Sequence, residues 1–362
     1  MALQSVLKTF SAQIPWSDLH SHIKERSTVQ LNHFVGSTPS FLVAKLAQKY
    51  NKVVVIHSDP ESAQFMQGDL EALDVQQASY FPETGHKPYD DQQITDSSVV
   101  VQRSEVLEKI NTDPKAVLIT SAAAIFEKIV APDVFTEASL TIKNGDSVEI
   151  DHLRKELVDQ EYEPVKFVNQ PGEFAHRGGI LDVYPYSGEY PIRLEFFGDE
   201  VDSIREFDPD SQRSVSFLDT ARFVPDASSL SKGQKQGVLS YFDEDTVFVL
   251  LNRSLIESDI EERFQQASET FNELESTEDI LPPEELYVDL ENLQESYQNH
   301  PRIQLGGFSE KSNPDWSYRL DASPQPDFNG SIKLLRENIN KLSKQSFDTY
   351  ILCDNEGQRD RF

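Results

Sequence analysis

The chain has 362 residues, enough for two or three domains, and its 38% apolar and 26% charged residues are typical of a globular protein. A formal net charge of −29 opposes a nucleic-acid binder that follows the phosphate backbone, because such a protein needs a basic surface. The single cysteine, Cys353, excludes an intrachain disulfide, and with no apolar run of about 18 residues the composition predicts a cytoplasmic protein without a membrane span.

The first third of the chain alternates apolar runs with helical patterns. KVVVIHSD (52–59) and AVLIT (116–120) are short, rich in β-branched residues and typical of buried parallel strands. Helical periodicity predicts helices over 40–50, 98–110 and 121–130. This alternation predicts an α/β domain with a parallel sheet.

The segment HFVGSTPS precedes the first of these helices, where a helicase-type (P-loop NTPase-type) domain carries its phosphate loop. Set against G-x-x-x-x-G-K-[ST], Pro39 occupies the lysine position, and only Ser40 keeps the hydroxyl that would hold Mg²⁺. With Gly36, these residues form a decayed phosphate loop that predicts no bound cofactor. The plainer interpretation is a helix start, with Ser37 or Thr38 as the cap and proline at the first helical position.

The loop FPETGHKPYDD (81–91) contains His86 beside acidic residues. A metal or acid–base site is conceivable here, but a structural loop between a strand and a helix is the simpler interpretation. The other histidines lack ligand spacing, so the sequence predicts no metal site and no catalytic residue.

After Pro132 the pattern changes to that of an antiparallel α+β unit. SLTIKNGDSVEI (139–150) alternates around Asn-Gly-Asp, which is a hairpin signal, and 151–160 follows as a helix. Alternating runs over 177–208 and 214–225 predict further strands. We therefore expect this unit to be an insert in the α/β domain, with bounds of 1–131 (first part), 132–226 (insert) and 227–362 (second part).

The last third returns to the α/β pattern. TVFVLLN (246–252) is a buried strand that ends in Leu251-Asn252, where a nucleotide hydrolase carries Asp-Glu. Helices are predicted over about 255–275 and over 331–345, followed by a strand within 349–357. The chain stops where another helix would begin, which suggests a fragment of a longer protein.

An acidic stretch covers residues 254–296, with fourteen Asp or Glu against one arginine. A solvated acidic helix face is one interpretation. A surface that mimics nucleic acid or binds a basic partner is the other.

PIRLEFF (191–197) has strict period-two alternation. One face carries Ile192, Leu194 and Phe196 and is expected to be core. The opposite face carries Arg193, Glu195 and Phe197, and an arginine beside a large aromatic is typical of a protein-binding surface. The alternative is an ordinary wet face on which Arg193 pairs with Glu195 or Glu173 while Phe197 lies under a loop.

The run PGEFAHRGGILDVYP…PIRLEFFGDEVDSIREFDPDSQRS (171–214) closely resembles the N-terminal, excinuclease B-like region of the bacterial transcription-repair coupling factor family. FPE…PYD, QRSEVL and FNGSIKLLRENI extend the likeness along the chain. The resemblance implies a degenerate helicase-like domain interrupted by an insert that docks the excinuclease A subunit (UvrA). The family's partner-contacting residues fall on Arg177, Arg193 and Phe197.

For function, the resemblance implies a non-catalytic module that recruits the A subunit to lesion-stalled transcription complexes in nucleotide excision repair. In the family, the complete protein is an ATP-dependent DNA translocase that binds RNA polymerase and DNA through other domains, and its C-terminal domains cover the docking face. Two alternatives remain: an active excinuclease B-like ATPase, opposed by the decayed motifs, and a DNA-binding module, opposed by the net charge.

Overall fold

A computed structural model describes residues 2–90, 96–227, 235–274, 276–277, 280–306, 314–349, 351 and 357. Cys353 and most of the strand predicted over 349–357 lie outside these residues. None of the described helices is both long and apolar enough to cross a membrane.

Among the described residues, seven strands form an all-parallel sheet, the first unit, in the order β17-β1-β16-β15-β2-β4-β3. In chain order its strands are β1 (Thr28–Asn32), β2 (Lys52–His57), β3 (Ala78–Tyr80), β4 (Ala116–Ser121), β15 (Val247–Leu251), β16 (Arg302–Leu305) and β17 (Trp316–Arg319).

Helices precede, connect and follow these strands. They are α1 (Ala2–Gln13), α2 (Trp16–Lys24), α3 (Thr38–Lys49), α4 (Pro60–Ala72), α5 (Ser97–Thr112), α6 (Ala122–Phe126), α7 (Pro132–Ala138), α9 (Arg253–Glu273), α10 (Pro283–Leu286), α11 (Leu290–Gln298) and α12 (Ile332–Lys344). A short 3₁₀ helix spans Val238–Tyr241.

Both faces of the parallel sheet are buried. On β2, Val53 and Val55 belong to one core cluster, while Val54 and Ile56 belong to another on the opposite face. Successive strand side chains point to opposite faces, so a strand with two buried faces must be apolar throughout. This accounts for the continuous VVVI run.

The second unit is a six-stranded sheet in the order β12-β11-β10-β9-β8-β7, antiparallel except for β7 with β8. Its strands are β7 (Glu163–Pro164), β8 (Glu173–Arg177), β9 (Ile180–Val183), β10 (Ile192–Phe197), β11 (Glu200–Phe207) and β12 (Ser214–Leu218). Helix α8 (Ile150–Asp159) covers one face, where its Leu153 and Leu157 join the core.

The hairpin predicted over 139–150 is wrong. Strand β6 (Leu140–Lys143) pairs instead with β13 (Thr220–Phe223), and Asn144 and Gly145 donate backbone hydrogen bonds to Asp219 and Val201. The turn does form, because the Asp146 N–H donates to the carbonyl of Lys143. The strand before it, however, pairs with a strand about 80 residues later in the sequence and not with the segment that follows the turn.

The helix predicted over 121–130 is only half correct. Helix α6 ends at Phe126, and β5 (Lys128–Val130) follows and pairs with β14 (Lys235–Gly237). The remaining predicted helices and buried strands are found within the described residues, which confirms an α/β fold with an antiparallel α+β unit. The domain bounds 1–131, 132–226 and 227–362 stay predictions.

Candidate functional site

The six-stranded sheet has an outer face, on the side opposite α8. One row of cross-strand partners on this face runs from Asp182 on β9 through Arg193 on β10 and Arg205 on β11 to Phe217 on β12. Strands lie about 4.8 Å apart, so these side chains are cross-strand neighbours, and Asp182 and Arg193 are joined directly by hydrogen bonds. The row places charged groups in the middle of the sheet and an aromatic group at its edge.

Arg193 is held in place by Asp182. Its Nε and Nη2 donate to the two carboxylate oxygens at 2.6 and 2.9 Å, and Nη2 also donates to Gln212 at 2.8 Å. The guanidinium stacks on Phe207, 4.3 Å from the ring centroid. Hydrogen bonding to Asp182 raises the pKa of Arg193, and only 9% of the residue is exposed.

Arg177 shares the same carboxylate. Its Nη2 donates to Asp182 at 2.5 Å, and its Nη1 donates to the carbonyl of Lys166 at 3.1 Å. The guanidinium lies 4.7 Å from the ring centroid of Phe167. The two arginines therefore meet at one buried carboxylate, and the cluster keeps one net positive charge.

Phe197 lies at the end of β10 and is 83% exposed. It is four residues from Arg193, about 13 Å along the strand. Gly198 follows with a φ of +67°, in the left-handed region, and turns the chain into β11. The structure therefore brings Arg177 and Arg193 together and leaves Phe197 as a separate, open apolar group on the same strand.

The inward face of PIRLEFF is confirmed. Ile192 and Leu194 lie in the core, and Phe196 packs against it. The alternative pairings of the outward face are wrong: Glu195 accepts from Arg205 at 2.6 Å, while Glu173 accepts backbone N–H groups of a neighbouring loop. Phe197 is not under a loop.

Arg193 is also part of the folded core of this unit, not only of its surface. A guanidinium with 9% exposure that pairs with a 1% exposed carboxylate is part of the packed structure. Sequence reasoning missed Asp182. The available signal was an acid in the otherwise apolar strand ILDV, since a buried carboxylate needs a cationic partner.

A second candidate site is a cavity of about 250 Å³ at the carboxyl ends of the parallel strands. It is lined by Gly36, Pro39 and Ser40 near the start of α3, and by Leu251 and Asn252 at the end of β15. The decayed phosphate loop and the end of the TVFVLLN strand therefore line the same cavity. The helix start is also confirmed, with Ser37 at the N-cap position, but Ser37 makes no side-chain capping bond and Pro39 is the second residue of the helix, not the first.

The side chains of this cavity do not suit a phosphate. Ser40 donates its hydroxyl to Asp69 at 2.7 Å, and Asp59 adds a second carboxylate to the lining. Burial lowers the pKa of His57 to about 4, so its imidazole is neutral at pH 7. Lysine and arginine are absent from the cavity lining within the described residues.

The loop that begins at Phe81 is fixed by a buried arginine. Arg103 on α5 is fully buried, stacks on Phe81, donates to the carbonyl of Pro82 at 3.0 Å and pairs with Glu127 at 3.1 Å. Across the described residues, no group of three or more His, Cys, Asp or Glu side chains is placed to hold a metal ion. The contacts fit a structural loop.

Comparison with known proteins defines the class of the second unit. Residues 140–228 match the family model of the UvrB interaction domain. This range covers the antiparallel unit from β6 to β13 and therefore contains the arginine cluster.

Between 57% and 76% of the chain is similar to transcription-repair-coupling factors. It is 31% identical to that of Bacillus subtilis strain 168 over 208 residues, covering 57% of this chain and 17% of the relative. For Haemophilus influenzae the values are 30% over 257 residues, 68% and 22%, and for Escherichia coli K12 they are 25% over 327 residues, 76% and 28%. The chain is thus a relative of these factors and carries a UvrB interaction domain, as the 171–214 run predicted, and it spans about a fifth of their length.

Proposed function

We propose that this chain is a non-catalytic interaction module that recruits the excinuclease A subunit to lesion-stalled transcription complexes during nucleotide excision repair. The observation that carries the proposal is the outer face of the UvrB interaction domain, where Arg177, Arg193 and Phe197 lie. The family match supports an interaction with this kind of partner.

The chemistry of the face fits an acidic partner surface. Two guanidinium groups share one carboxylate, so one positive charge and several N–H donors remain for a partner. Arginine can bind a carboxylate through two parallel hydrogen bonds, which gives both strength and direction. The partner is therefore expected to present Asp or Glu to this cluster.

Phe197 supplies an apolar contact on the same strand as Arg193, about 13 Å away along β10. A phenylalanine with 83% exposure gains the most when a partner covers it, because burying such a ring is worth about 1.5–3 kcal/mol. Aromatic residues and arginine are both enriched at protein interfaces.

The second cavity supports the non-catalytic part of the proposal. We interpret it as a degenerate nucleotide site in a helicase-like domain: Pro39 cannot donate an N–H or a positive charge, and Asp59 and Asp69 would repel a phosphate. The same proposal includes two features of a longer, full-length protein. Its other domains would cover the docking face, and they would bind RNA polymerase and DNA.

The test is a calorimetric titration of the purified chain with the excinuclease A subunit. Wild type is expected to bind, and the double variant Arg177→Ala plus Arg193→Ala is expected to lose at least about 30-fold in affinity. Truncation of such charge pairs costs at least about 2 kcal/mol.

Arg213→Ala is the matched control, because this arginine is exposed and precedes the edge strand β12. It is expected to bind like wild type, and circular dichroism checks that the double variant remains folded. A double variant that binds as tightly as wild type would remove the docking face from the proposal, and a wild type that does not bind would remove the function.

A further inference from the structure

We infer that Asp182 is a positioning residue, the buried carboxylate that holds Arg177 and Arg193 in one fixed arrangement for a partner's carboxylate. This inference rests on the proposed function and adds a residue that the family resemblance did not supply.

Asp182 is the point where both arginines meet. It is 1% exposed, and its two oxygens accept from Nε and Nη2 of Arg193 and from Nη2 of Arg177. It sits on β9 directly opposite Arg193 on β10, so the strand register alone brings the two side chains together. Removing it would leave two positive groups facing each other without a counter-ion.

The other contacts complete the arrangement from the outside. Phe207 and Gln212 hold the Arg193 guanidinium, while Phe167 and the carbonyl of Lys166 hold that of Arg177. Each guanidinium is thus limited in both its plane and its rotation. A preorganised donor loses less conformational entropy when a partner binds.

The contacts also determine which donors remain for a partner. Nη1 of Arg193 and Nε of Arg177 have no acceptor among the described residues. A partner carboxylate therefore binds at these atoms as a second acceptor, with Asp182 still in place. It does not replace Asp182, since that would leave a buried carboxylate unpaired.

This role makes a prediction opposite in sign to that of a simple charge attraction. Asp182→Asn raises the net charge of the cluster from one to two positive charges, which by charge alone would tighten binding to an acidic partner. If Asp182 positions the arginines, the variant binds more weakly, because the asparagine amide keeps one acceptor oxygen and places an NH2 donor where the other oxygen accepted from a guanidinium group.

The experiment is a titration of wild type, Asp182→Asn and Asp210→Asn with the excinuclease A subunit at two salt concentrations. Asp210 is an exposed acid in the turn between β11 and β12 and makes none of the side-chain hydrogen bonds of Arg177 or Arg193, so its variant removes the same charge and keeps those bonds. We expect at least about a tenfold loss of affinity for Asp182→Asn and none for Asp210→Asn. Equal or tighter binding by folded Asp182→Asn would overturn the inference.

A second measurement needs neither a variant nor a partner. In the NMR spectrum of the wild-type chain, the Nε–H of Arg193 is expected to exchange slowly with water, whereas that of the exposed Arg213 exchanges fast. Equal, fast exchange would overturn the positioning role. If the A subunit fails to bind while the Arg193 signal is protected, the proposed function fails and the arrangement around Asp182 stands.

Discussion

Arg193 contributes to the stability of the fold through its ion pair with the buried Asp182, and in the proposed function it also binds the partner. Desolvating these charges is costly, and the pairing with Asp182 offsets that cost only while all partners are present. Removing one member of a buried ion pair typically destabilises a protein by about 3–5 kcal/mol. Binding experiments on variants of Arg193 or Asp182 therefore need a test that the variant is still folded. Phe197 is exposed, so its substitution is not expected to affect folding.

Phe197→Ala separates binding from folding at the residue scale. Since the side chain is 83% exposed, its removal is expected to change the free energy of unfolding by less than about 0.5 kcal/mol. Affinity for the A subunit should fall by at least about fivefold, because a buried aromatic anchor is worth more than about 1 kcal/mol. Denaturant unfolding and calorimetry measure the two effects.

Phe65→Ala is the matched control, since Phe65 on α4 is 70% exposed but lies on the parallel-sheet unit. Equal loss of affinity in the two variants would contradict the placement of the anchor on β10.

At the scale of elements, local signals predicted most of the fold. The VVVI run of β2 and the periodicity of α5 depend only on which faces are buried, and both formed as expected. The errors arose where a distant partner decides the structure. Strand β6 has a turn signal beside it but pairs with β13, and the end of the predicted 121–130 helix became β5 because β14 lies next to it.

In the candidate site, too, local sequence predicted the exposed face, while contacts between distant strands could not be predicted. Period two identified the face that carries Arg193 and Phe197, but not the contact that organises it. Asp182 reaches Arg193 only through the register of β9 and β10, and Phe207 comes from β11. Such contacts depend on strand order, which alternation alone does not specify.

The cavity at the start of α3 permits a prediction about nucleotides. The purified chain is expected to show no saturable ATP binding up to about 1 mM and no ATP turnover, because an acidic cavity without a lysine cannot hold phosphates. Pro39→Lys should not restore either, since Asp59 and Asp69 remain. Fluorescent-nucleotide titration and a phosphate-release assay measure this, and nucleotide hydrolysis by the wild type would favour the ATPase alternative.

At the scale of the whole molecule, a small positive cluster lies in a chain with a net charge of −29. The Debye length at 0.1 M salt is about 10 Å, so the cluster acts on a partner mainly at contact. The cluster is therefore suited to an acidic patch on a protein that it contacts directly. DNA is a poorer partner, because its uniform negative charge would be repelled by the rest of the acidic surface. The acidic helices α9 and α11 carry none of the residues proposed to bind the partner.

The most direct measurement is hydrogen–deuterium exchange of the chain with and without the excinuclease A subunit. Binding is expected to slow exchange in the loop before β8, in the turn between β8 and β9, and along β10 and β11, with no change in α9, α11 or α12. Slower exchange confined to the acidic helices, with the outer face of the six-stranded sheet unchanged, would contradict this expectation.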